Sequence, residues 1–475
     1  MLEAFKPPVV SFHFGLPSPD LLARVRSWGA RVLSSATTVD EALWLEAHGV
    51  DAVMTRADHA SGSDRPEPAK PSHRASSGTR SVPEREPART ETWGTTGLYA
   101  AAMPDKQPWW ASTVIYQVYP RSFADSDGDG IGDLPGIIEH LDHLVDLGVG
   151  TVWCSPFFKS PQRDIGYDVS DYRDIAPEYG TLEDAQRLID EAHARGLRVM
   201  FDLVLNHTSD EHPWFVESRA SRDNPKADWY VWADGTRDRR GRPKPPNNWR
   251  SELQFPSAWQ WGEERQQWYL ATFLGFQPDL NWRHPEVRAE MFDMIRMWLG
   301  RGVDGFRLDI FGSIMQDEQL RDNDPRPIVE GGMPRFQTPN RTLNTPENIT
   351  LAADLREVCD EFAGDDRVLL GEVFGPPDVL RRYLHHDGRD GLHLVFLFGF
   401  LASPYKAEKY RSLIRRFEED FPAPQLPTYV LENHDRSRSL SRVGGDLARA
   451  RVLATLLCTL RGVPVIYQGQ EIGMT

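Results

Sequence analysis

The feature that most constrains the fold is a series of eight apolar, strand-like runs, most of which are separated by amphipathic helical patterns. The runs are VIYQVYP (114–120), TVWCSP (151–156), VMFDLVL (199–205), GFRLDI (305–310), VLLGEVF (368–374), LHLVFLF (392–398), TYVLEN (428–433) and VPVIYQG (463–469). Strands and helices alternating in this number are typical of a parallel (β/α)8 barrel. We therefore predict an α/β fold of the TIM-barrel class.

One connection in this series is too long for an ordinary loop. Between the third strand and the helix near Glu286 lie about 75 residues rich in Trp, Pro and Asn, which favours a small inserted domain. We place that domain at 207–281 and the barrel at 108–206 and 282–475. A capping box of Thr181 and Asp184 predicts the start of one barrel helix.

Two segments of different composition precede the barrel. Residues 58–107 are dominated by Pro, Ser, Gly and charged residues, with too few apolar side chains to offset the entropy of ordering. We predict a disordered linker there. Residues 1–57 alternate strand-like and helix-like patterns, such as VVSFHF and VDAVM, and predict a short β/α fragment.

Composition excludes some partners. A formal charge of −16 argues against nucleic acid or an anionic membrane, both of which select basic surfaces, and is compatible with a neutral ligand such as a sugar. No apolar run approaches the roughly 18 residues of a membrane span. Three widely spaced cysteines, Cys154, Cys359 and Cys458, and the lack of a secretory signal indicate a cytoplasmic protein. The oligomeric state cannot be read from the sequence.

Charged residues stand at the ends of several predicted strands, where a barrel places its active site. In GFRLDI, Arg307 and Asp309 are two positions apart and therefore lie on the same face. Three other strands end in the same way, with Asp202 and His207 after the third, Glu372 after the fifth, and His434 and Asp435 after the seventh. A lone buried Arg–Asp pair is usually a structural ion pair, but this many groups on one rim indicate a ligand site.

The carboxylates of this rim suit the cleavage of an acetal. One carboxylate can attack the anomeric carbon while another protonates the departing oxygen. We expect Arg307 to keep Asp309 ionised as the nucleophile. We expect Glu372, crowded by other carboxylates and partly desolvated, to have a raised pKa and to act as the general acid.

Six motifs in order, DLVLNH, QPDLNW, GFRLDI, GEVF, ENHD and GVPVIYQGQE, resemble those of the α-amylase superfamily of glycoside hydrolases. VIYQVYPRSFADSDGDGIGDLPGI and DIGYDVSDY are similar to its α-glucosidase and oligo-1,6-glucosidase branch. The resemblance implies a retaining α-glucosidase acting at non-reducing ends, with Asp309 as nucleophile, Glu372 as acid/base and Asp435 as transition-state stabiliser. It implies that the glucose subsite consists of Asp164, Tyr167, Asp202, His207, Arg307 and His434.

The linkage specificity stays open between α-1,6 and α-1,4. The resemblance implies that the residue after the nucleophile influences it, and the apolar, β-branched Ile310 leans towards α-1,6. A transglycosylase or sucrose isomerase on the same scaffold is the nearest alternative. A catalytically inactive binding subunit is a more distant one, because such subunits carry a membrane anchor and lose catalytic carboxylates.

An acidic loop, DSDGDGIGD (125–133), has the spacing of a cation site. Asp125, Asp127, Asp129, the carbonyl of Ile131 and Asp133 fall on positions 1, 3, 5, 7 and 9 of a calcium loop. Position 12 is Gly136 rather than Glu, so an EF-hand is excluded. The resemblance implies a structural calcium or magnesium ion, and no catalytic cofactor.

Both ends of the chain depart from the resembled enzymes. The chain stops after the eighth strand, so we expect the closing helix and β-sandwich domain to be missing and activity to be impaired, or lost altogether in a truncated fusion product. Residues 7–54 resemble a piece of nitronate monooxygenases. The glycine-rich continuation that contacts flavin does not follow Met54, so we expect no flavin and give His13 and His59 no role.

Overall fold

The computed structural model describes residues 9–12, 22–23, 26–27, 31–36, 52–55, 108–253, 256–330, 333–335, 337–362 and 367–475. The chain separates into two compact units, Met1–Trp93 and Gly94–Thr475. The predicted linker at 58–107 lies outside the described residues, as do His13 and His59.

The first unit contains a parallel three-stranded sheet. Its strands, Val9–Phe12, Arg31–Ala36 and Ala52–Thr55, pair in chain order. Parallel pairing agrees with the β/α pattern of the sequence. The resemblance of this segment to nitronate monooxygenases stays a prediction.

The second unit contains a closed barrel of eight parallel strands that pair in chain order, so the predicted fold class is confirmed. Each barrel strand lies within one of the eight predicted runs or starts one residue before it. The strands are β1 (Ile115–Val118), β2 (Thr151–Cys154), β3 (Arg198–Leu203), β4 (Gly305–Leu308), β5 (Val368–Gly371), β6 (Leu394–Leu397), β7 (Thr428–Val430) and β8 (Val463–Tyr467).

Helices follow the strands and cover the barrel. The α-helices in the described part of the second unit are Leu134–Glu139, Leu141–Leu147, Leu182–Ala194, Pro213–Ala220, Pro285–Gly300, Pro346–Asp360, Pro377–Leu384, Ala407–Asp420, Ser439–Arg442 and Leu447–Thr459. The predicted capping box of Thr181 and Asp184 is present, and the helix that it begins ends before Gly196, which has φ of 76°. None of the helices in the described part of the chain combines the length and apolar character needed to cross a bilayer.

The barrel has two apolar layers that follow the alternation of its strands. Residues such as Met200, Leu370 and Val465 form a cluster inside the barrel, whereas Phe201 and Phe306 belong to the larger cluster between strands and helices. The first residue of β4 is Gly305. A side chain would not fit there, because a Cβ atom would lie 2.3 Å from the carbonyl oxygen of Val368.

The segment between β3 and the helix Pro285–Gly300, where we expect the inserted domain, forms small antiparallel sheets. One sheet contains Trp232–Ala233, Trp259–Gly262 and Gln267–Leu270, and another pairs Thr236–Arg237 with Pro243–Lys244. Buried Trp249 and Trp259 stack within a small apolar cluster. The remaining short strands are Phe158–Lys159, Asp171–Ile175, Ile328–Glu330, Met333–Arg335, His385–His386 and Arg389–Asp390.

Candidate active site

The carboxyl ends of β3, β4 and β5 bring four buried charged side chains together. Asp202 on β3 pairs in register with Arg307 on β4, and two residues beyond Arg307 lies Asp309. Glu372 directly follows β5, whose Leu370 is the other neighbour of Arg307. Asp202 and Met200 are two positions apart on β3, so both side chains face the interior of the barrel. The cluster therefore lies inside the mouth of the barrel.

One guanidinium joins all three carboxylates of this cluster. Nη1 of Arg307 donates to Asp202 Oδ1 at 2.8 Å and to Asp309 Oδ1 at 2.7 Å, and Nη2 donates to Glu372 Oε2 at 2.5 Å. Arg307 is 2% exposed, and its buried Nε has no hydrogen-bond partner among the residues that the structure describes. The arrangement therefore places one positive charge against three negative charges when all the carboxyls are ionised.

This imbalance sets the protonation of the rim. Burial raises the pKa of Asp309 to about 7 and that of Asp202 to about 6, although Arg307 opposes both shifts. Arg307 favours ionised Asp309, in the direction expected, but its guanidinium is shared by three carboxyls and burial outweighs its effect. Burial likewise raises the pKa of Glu372 to about 7, with Asp309 and Asp435 adding to the effect, as the sequence predicts. Burial therefore favours the protonated forms of these rim carboxyls.

The backbone at Ile310 is held in an unusual conformation. Ile310 has φ of 37° and ψ of 47°, a left-handed region that β-branched residues rarely adopt. In this conformation its N–H donates to Glu372 Oε2 at 3.1 Å. Both hydrogen bonds to Glu372 fall on Oε2, and the one to Asp309 falls on Oδ1, so Oε1 and Oδ2 accept none from the described residues. Each carboxylate thus keeps one oxygen for a ligand.

The histidines at the rim are held neutral by burial. Burial lowers the pKa of His434 to about 4 and that of His207 to about 3. His434 stacks on Tyr167, with ring centroids 5.6 Å apart, and its Nε2 lies 2.7 Å from the Tyr167 hydroxyl. Nε2 of His207 lies 3.2 Å from the carbonyl oxygen of Tyr167. Tyr167 therefore holds both imidazoles in place.

The predicted site residues surround one cavity of 480 Å³, within the range of about 300–1,000 Å³ usual for small-molecule sites. Asp435 lines the cavity and is the most exposed of the three predicted catalytic carboxylates, with a side chain 56% exposed. Asp202 and Arg307 are not among the lining residues and lie behind Asp309 and Glu372. The lining contains the predicted residues Asp164, Tyr167, His207, Asp309, Glu372, His434 and Asp435.

The cavity also has residues that sequence reasoning did not assign to the site. They include Gln277 and Arg436 on the polar side, and Phe273, Phe374 and Phe398 among the apolar ones. Phe374 and Phe398 stack with centroids 5.1 Å apart. Phe374 follows Glu372 by two positions, so the alternation of the strand could have indicated it. Gln277 comes from the inserted segment and begins the motif QPDLNW, which contributed to the family resemblance but was given no role in the site.

The acidic loop after β1 brings together part of the predicted cation site. Carboxylate oxygens of Asp125, Asp127 and Asp133 lie within 4.8 Å of one another. Asp129 is not in that group, and its Oδ1 accepts from the N–H of Ile131 at 2.7 Å. Backbone N–H groups donate to both oxygens of Asp125 and hold its pKa below the ordinary value. Three converging carboxylates fit a hard cation such as calcium.

These features define a class, a (β/α)8 barrel with a carboxylate-lined ligand site at its carboxyl rim. The model of the α-amylase catalytic domain matches residues 117–475, and the chain belongs to that family. It is 46% identical over 388 residues to a probable α-glucosidase of Rhizobium meliloti, covering 78% of this chain and 68% of the relative. It is 40% identical over 383 residues to an oligo-1,6-glucosidase of Parageobacillus thermoglucosidasius, covering 77% and 66%.

Solved structures give the same family. An α-glucosyl transfer enzyme named XgtA is 45% identical, with a TM-score of 0.72 over 78% of this chain and 70% of that one. The trehalulose synthase of Pseudomonas mesoacidophila is 38% identical, with a TM-score of 0.69 over 78% and 66%. The chain spans about two thirds of the length of these relatives.

Proposed function

We propose that this protein is a retaining α-glucosidase that releases terminal α-linked glucose from short oligosaccharides. The observation that carries the proposal is the shared guanidinium, because Asp309 and Glu372 each lie within a hydrogen bond of Arg307 and both line the same cavity. Two carboxyls so close together suit the double-displacement scheme, in which no water has to fit between nucleophile and sugar. The curated relatives named above point to the same activity.

The roles follow from the free oxygens and the protonation of the pair. Oδ2 of Asp309 attacks the anomeric carbon while protonated Glu372 gives its proton to the leaving oxygen, which breaks the glycosidic bond and forms a glycosyl ester. Glu372, now ionised, takes a proton from water, and that water displaces Asp309 from the sugar. Asp435 faces the sugar hydroxyls from the open side of the cavity.

The pair needs one proton in total for the first step. Because both carboxyls have pKa values near 7 and share Arg307, they titrate as a pair rather than singly. The negative charges of Asp309 and Asp435 raise the pKa of Glu372, whereas Arg307 and the hydrogen bond from Ile310 oppose that rise. Substrate that covers the cavity would place the proton on Glu372, where the leaving oxygen accepts it.

The linkage specificity is tested by comparing isomaltose with maltose. We expect hydrolysis of both, with the α-1,6 disaccharide favoured because Ile310 lines the cavity beside Asp309. The released glucose should carry the α configuration when it is observed by NMR within the first turnovers. Asp309→Asn, assayed in parallel, controls for a contaminating glucosidase. Initial release of β-glucose, or turnover unaffected by Asp309→Asn, would contradict the proposed mechanism.

A second candidate is glucosyl transfer to another sugar, or isomerisation of sucrose. It is favoured by the stacked Phe374 and Phe398 beside Glu372, which form an apolar wall that limits water on that side. Two of the solved relatives are an α-glucosyl transfer enzyme and a trehalulose synthase. Incubation with sucrose followed by chromatography distinguishes the candidates, because hydrolysis yields equal glucose and fructose whereas isomerisation consumes sucrose with little of either.

We propose that Asp125, Asp127 and Asp133 hold a calcium or magnesium ion with a structural role. Their oxygens converge in a loop that precedes the helix Leu134–Glu139, and Asp133 also caps that helix. A bound ion stabilises the native state by mass action, so a chelator should lower Tm and leave kcat unchanged. Asp127→Ala should have the lower Tm already and should not respond to the chelator. A Tm that is the same with and without chelator in the unsubstituted protein would contradict the ion.

A further inference from the structure

The inserted segment contributes a loop from which the side chain of Gln277 contacts Asp164 at the rim. Gln277 is fully buried, lines the cavity, and donates from Nε2 to Asp164 Oδ2 at 2.7 Å. Its Oε1 accepts from the backbone N–H of Leu274 at 3.1 Å. Because a backbone N–H can only donate, the amide of Gln277 has one orientation, and that orientation presents a donor to Asp164.

The loop that carries Gln277 is held in place by the side chain of Asp279, two residues further along the chain. The buried carboxylate of Asp279 accepts from the N–H of Thr272 at 2.9 Å, from its hydroxyl at 2.5 Å and from Nε2 of Gln316 at 2.9 Å. On the outer side, the guanidinium of Arg163 lies 3.8 Å from the ring centroid of Phe276. The loop therefore has fixed contacts both with the barrel end and with the segment that carries Asp164.

Asp164 is fixed on its own side as well. Its N–H donates to Asp168 Oδ1 at 3.1 Å, and the next residue, Ile165, has φ of 47°. Burial raises the pKa of Asp164 to about 6, and the hydrogen bond from Gln277 opposes that shift. Oδ1 of Asp164 accepts no hydrogen bond from the described part of the chain. One oxygen is thus committed to Gln277 and the other is left for a ligand in the cavity.

We propose that Gln277 is a positioning residue that holds Asp164 so that its free Oδ1 accepts hydroxyl groups of the terminal glucose. The inference rests on the proposed function, which identifies that sugar as glucose. Gln277 has no contact with the reacting carboxylates in the described structure, and it acts through Asp164. Its specific requirement is a donor at Nε2, which distinguishes positioning from simple packing.

Two substitutions of similar size test for that donor. Gln277→Glu places a second carboxylate against Asp164, so the two share a proton at low pH and repel when both ionise. We expect the glucose affinity of this variant, divided by that of the unsubstituted protein at the same pH, to fall roughly tenfold between pH 5 and pH 8. The ratio cancels the titration of Asp309 and Glu372, which line the same cavity in both proteins. Gln277→Met lacks a donor at every pH, and we expect a uniform loss of about tenfold.

Binding is measured by calorimetry with D-glucose, which does not titrate in this range, on the full chain. Gln186→Glu is the matched control, since Nε2 of Gln186 donates to Asp190 on the helix Leu182–Ala194 and neither residue lines the cavity. This control should keep the glucose affinity and the pH profile of the unsubstituted protein. Equal pH profiles in Gln277→Glu and Gln186→Glu, or a Gln277→Met protein that binds glucose normally, would overturn the proposal.

Turnover of isomaltose, run on the same samples, separates this proposal from the proposed function. If the unsubstituted protein binds glucose but hydrolyses no α-glucoside, the proposed function fails and the calorimetry still decides the role of Gln277. If hydrolysis is normal and Gln277→Glu keeps the pH profile and KM of the unsubstituted protein, the role of Gln277 fails and the proposed function stands. An unsubstituted protein with no affinity for glucose contradicts both.

Discussion

Strand β4 has a buried ionic cluster at each end, and the two clusters are built in opposite ways. At the carboxyl end, Arg307 serves three carboxylates. At the amino end, Asp304 is fully buried and accepts from His193 Nε2 at 2.7 Å, Arg198 Nη1 at 2.8 Å and the N–H of Val199 at 2.8 Å. Arg367 adds a longer contact at 3.4 Å.

The pKa values show what this difference means. Burial acts against ionised Asp304, but its donors outweigh burial and hold its pKa below the ordinary value. At the rim, one guanidinium cannot do this for three carboxyls, and the pKa values of Asp309 and Glu372 are raised. A carboxylate with an excess of donors stabilises the fold, whereas one short of donors keeps a proton and a free oxygen for chemistry.

The largest expected effect comes from removing a rim carboxylate. Asp309→Asn deletes the attacking oxygen, and kcat on isomaltose should fall on the order of 10⁴-fold. The substitution also relieves the excess of negative charge around Arg307, so the free energy of unfolding at pH 7 should stay the same or rise. Urea denaturation alongside kinetics measures both quantities. A variant that unfolds readily would show that the rim stabilises the barrel, and would remove the contrast.

The corresponding change at the amino end of β4, which we call the base, should lower the stability and leave kcat unchanged. Asp304→Asn removes the negative charge and one of the two acceptor oxygens that His193, Arg198 and Val199 share, which should cost about 2–3 kcal/mol of unfolding free energy, less than for fully buried partners because His193 and Arg198 both reach water. The kcat of the folded variant should be unchanged, since β4 separates Asp304 from the cavity. A loss of kcat without a loss of stability would show that Asp304 contributes to activity and not only to the stability of the barrel.

Stability should depend on pH in opposite ways at the two ends. The pKa of Asp309 is about 7 in the folded chain against an ordinary value of about 3.9, so its favourable contribution is complete below pH 4 and is lost as pH rises through 7. The pKa of Asp304 is lowered, so its contribution is present above its ordinary value and is lost only as pH falls through the folded pKa.

Measured between pH 5 and pH 8, the unfolding free energy of Asp309→Asn should gain about 1–2 kcal/mol relative to the unsubstituted protein. The difference for Asp304→Asn should stay constant over the same range. Parallel urea titrations at four pH values provide the comparison. If the difference in unfolding free energy is constant with pH for Asp309→Asn as well, Arg307 compensates all three carboxylates. That result would contradict our interpretation that the rim is short of donors.

Much of this contrast was visible in the sequence, and part of it was not. Alternation in GFRLDI placed Arg307 and Asp309 on the inner face, and the position of Glu372 at the end of a strand placed it beside them. The sharing of Arg307 with Asp202 depends on the register of β3 and β4, which strand patterns do not specify. Gln277 and Asp164 are 113 positions apart and meet only through the inserted segment. Sequence reasoning also passed over Asp304, because its partners come from the helix Leu182–Ala194, from β3 and from the residue before β5, which are distant in the sequence.

The smallest effect tests how much each donor at the base contributes. His193→Ala removes one hydrogen bond from Asp304 and leaves those of Arg198 and Val199, and the histidine side chain is 35% exposed. The unfolding free energy should therefore fall by only about 1 kcal/mol, with kcat unchanged. A loss as large as that of Asp304→Asn would mean that the donors act as one cooperative unit, and that the base depends on every partner as strictly as the rim depends on Arg307.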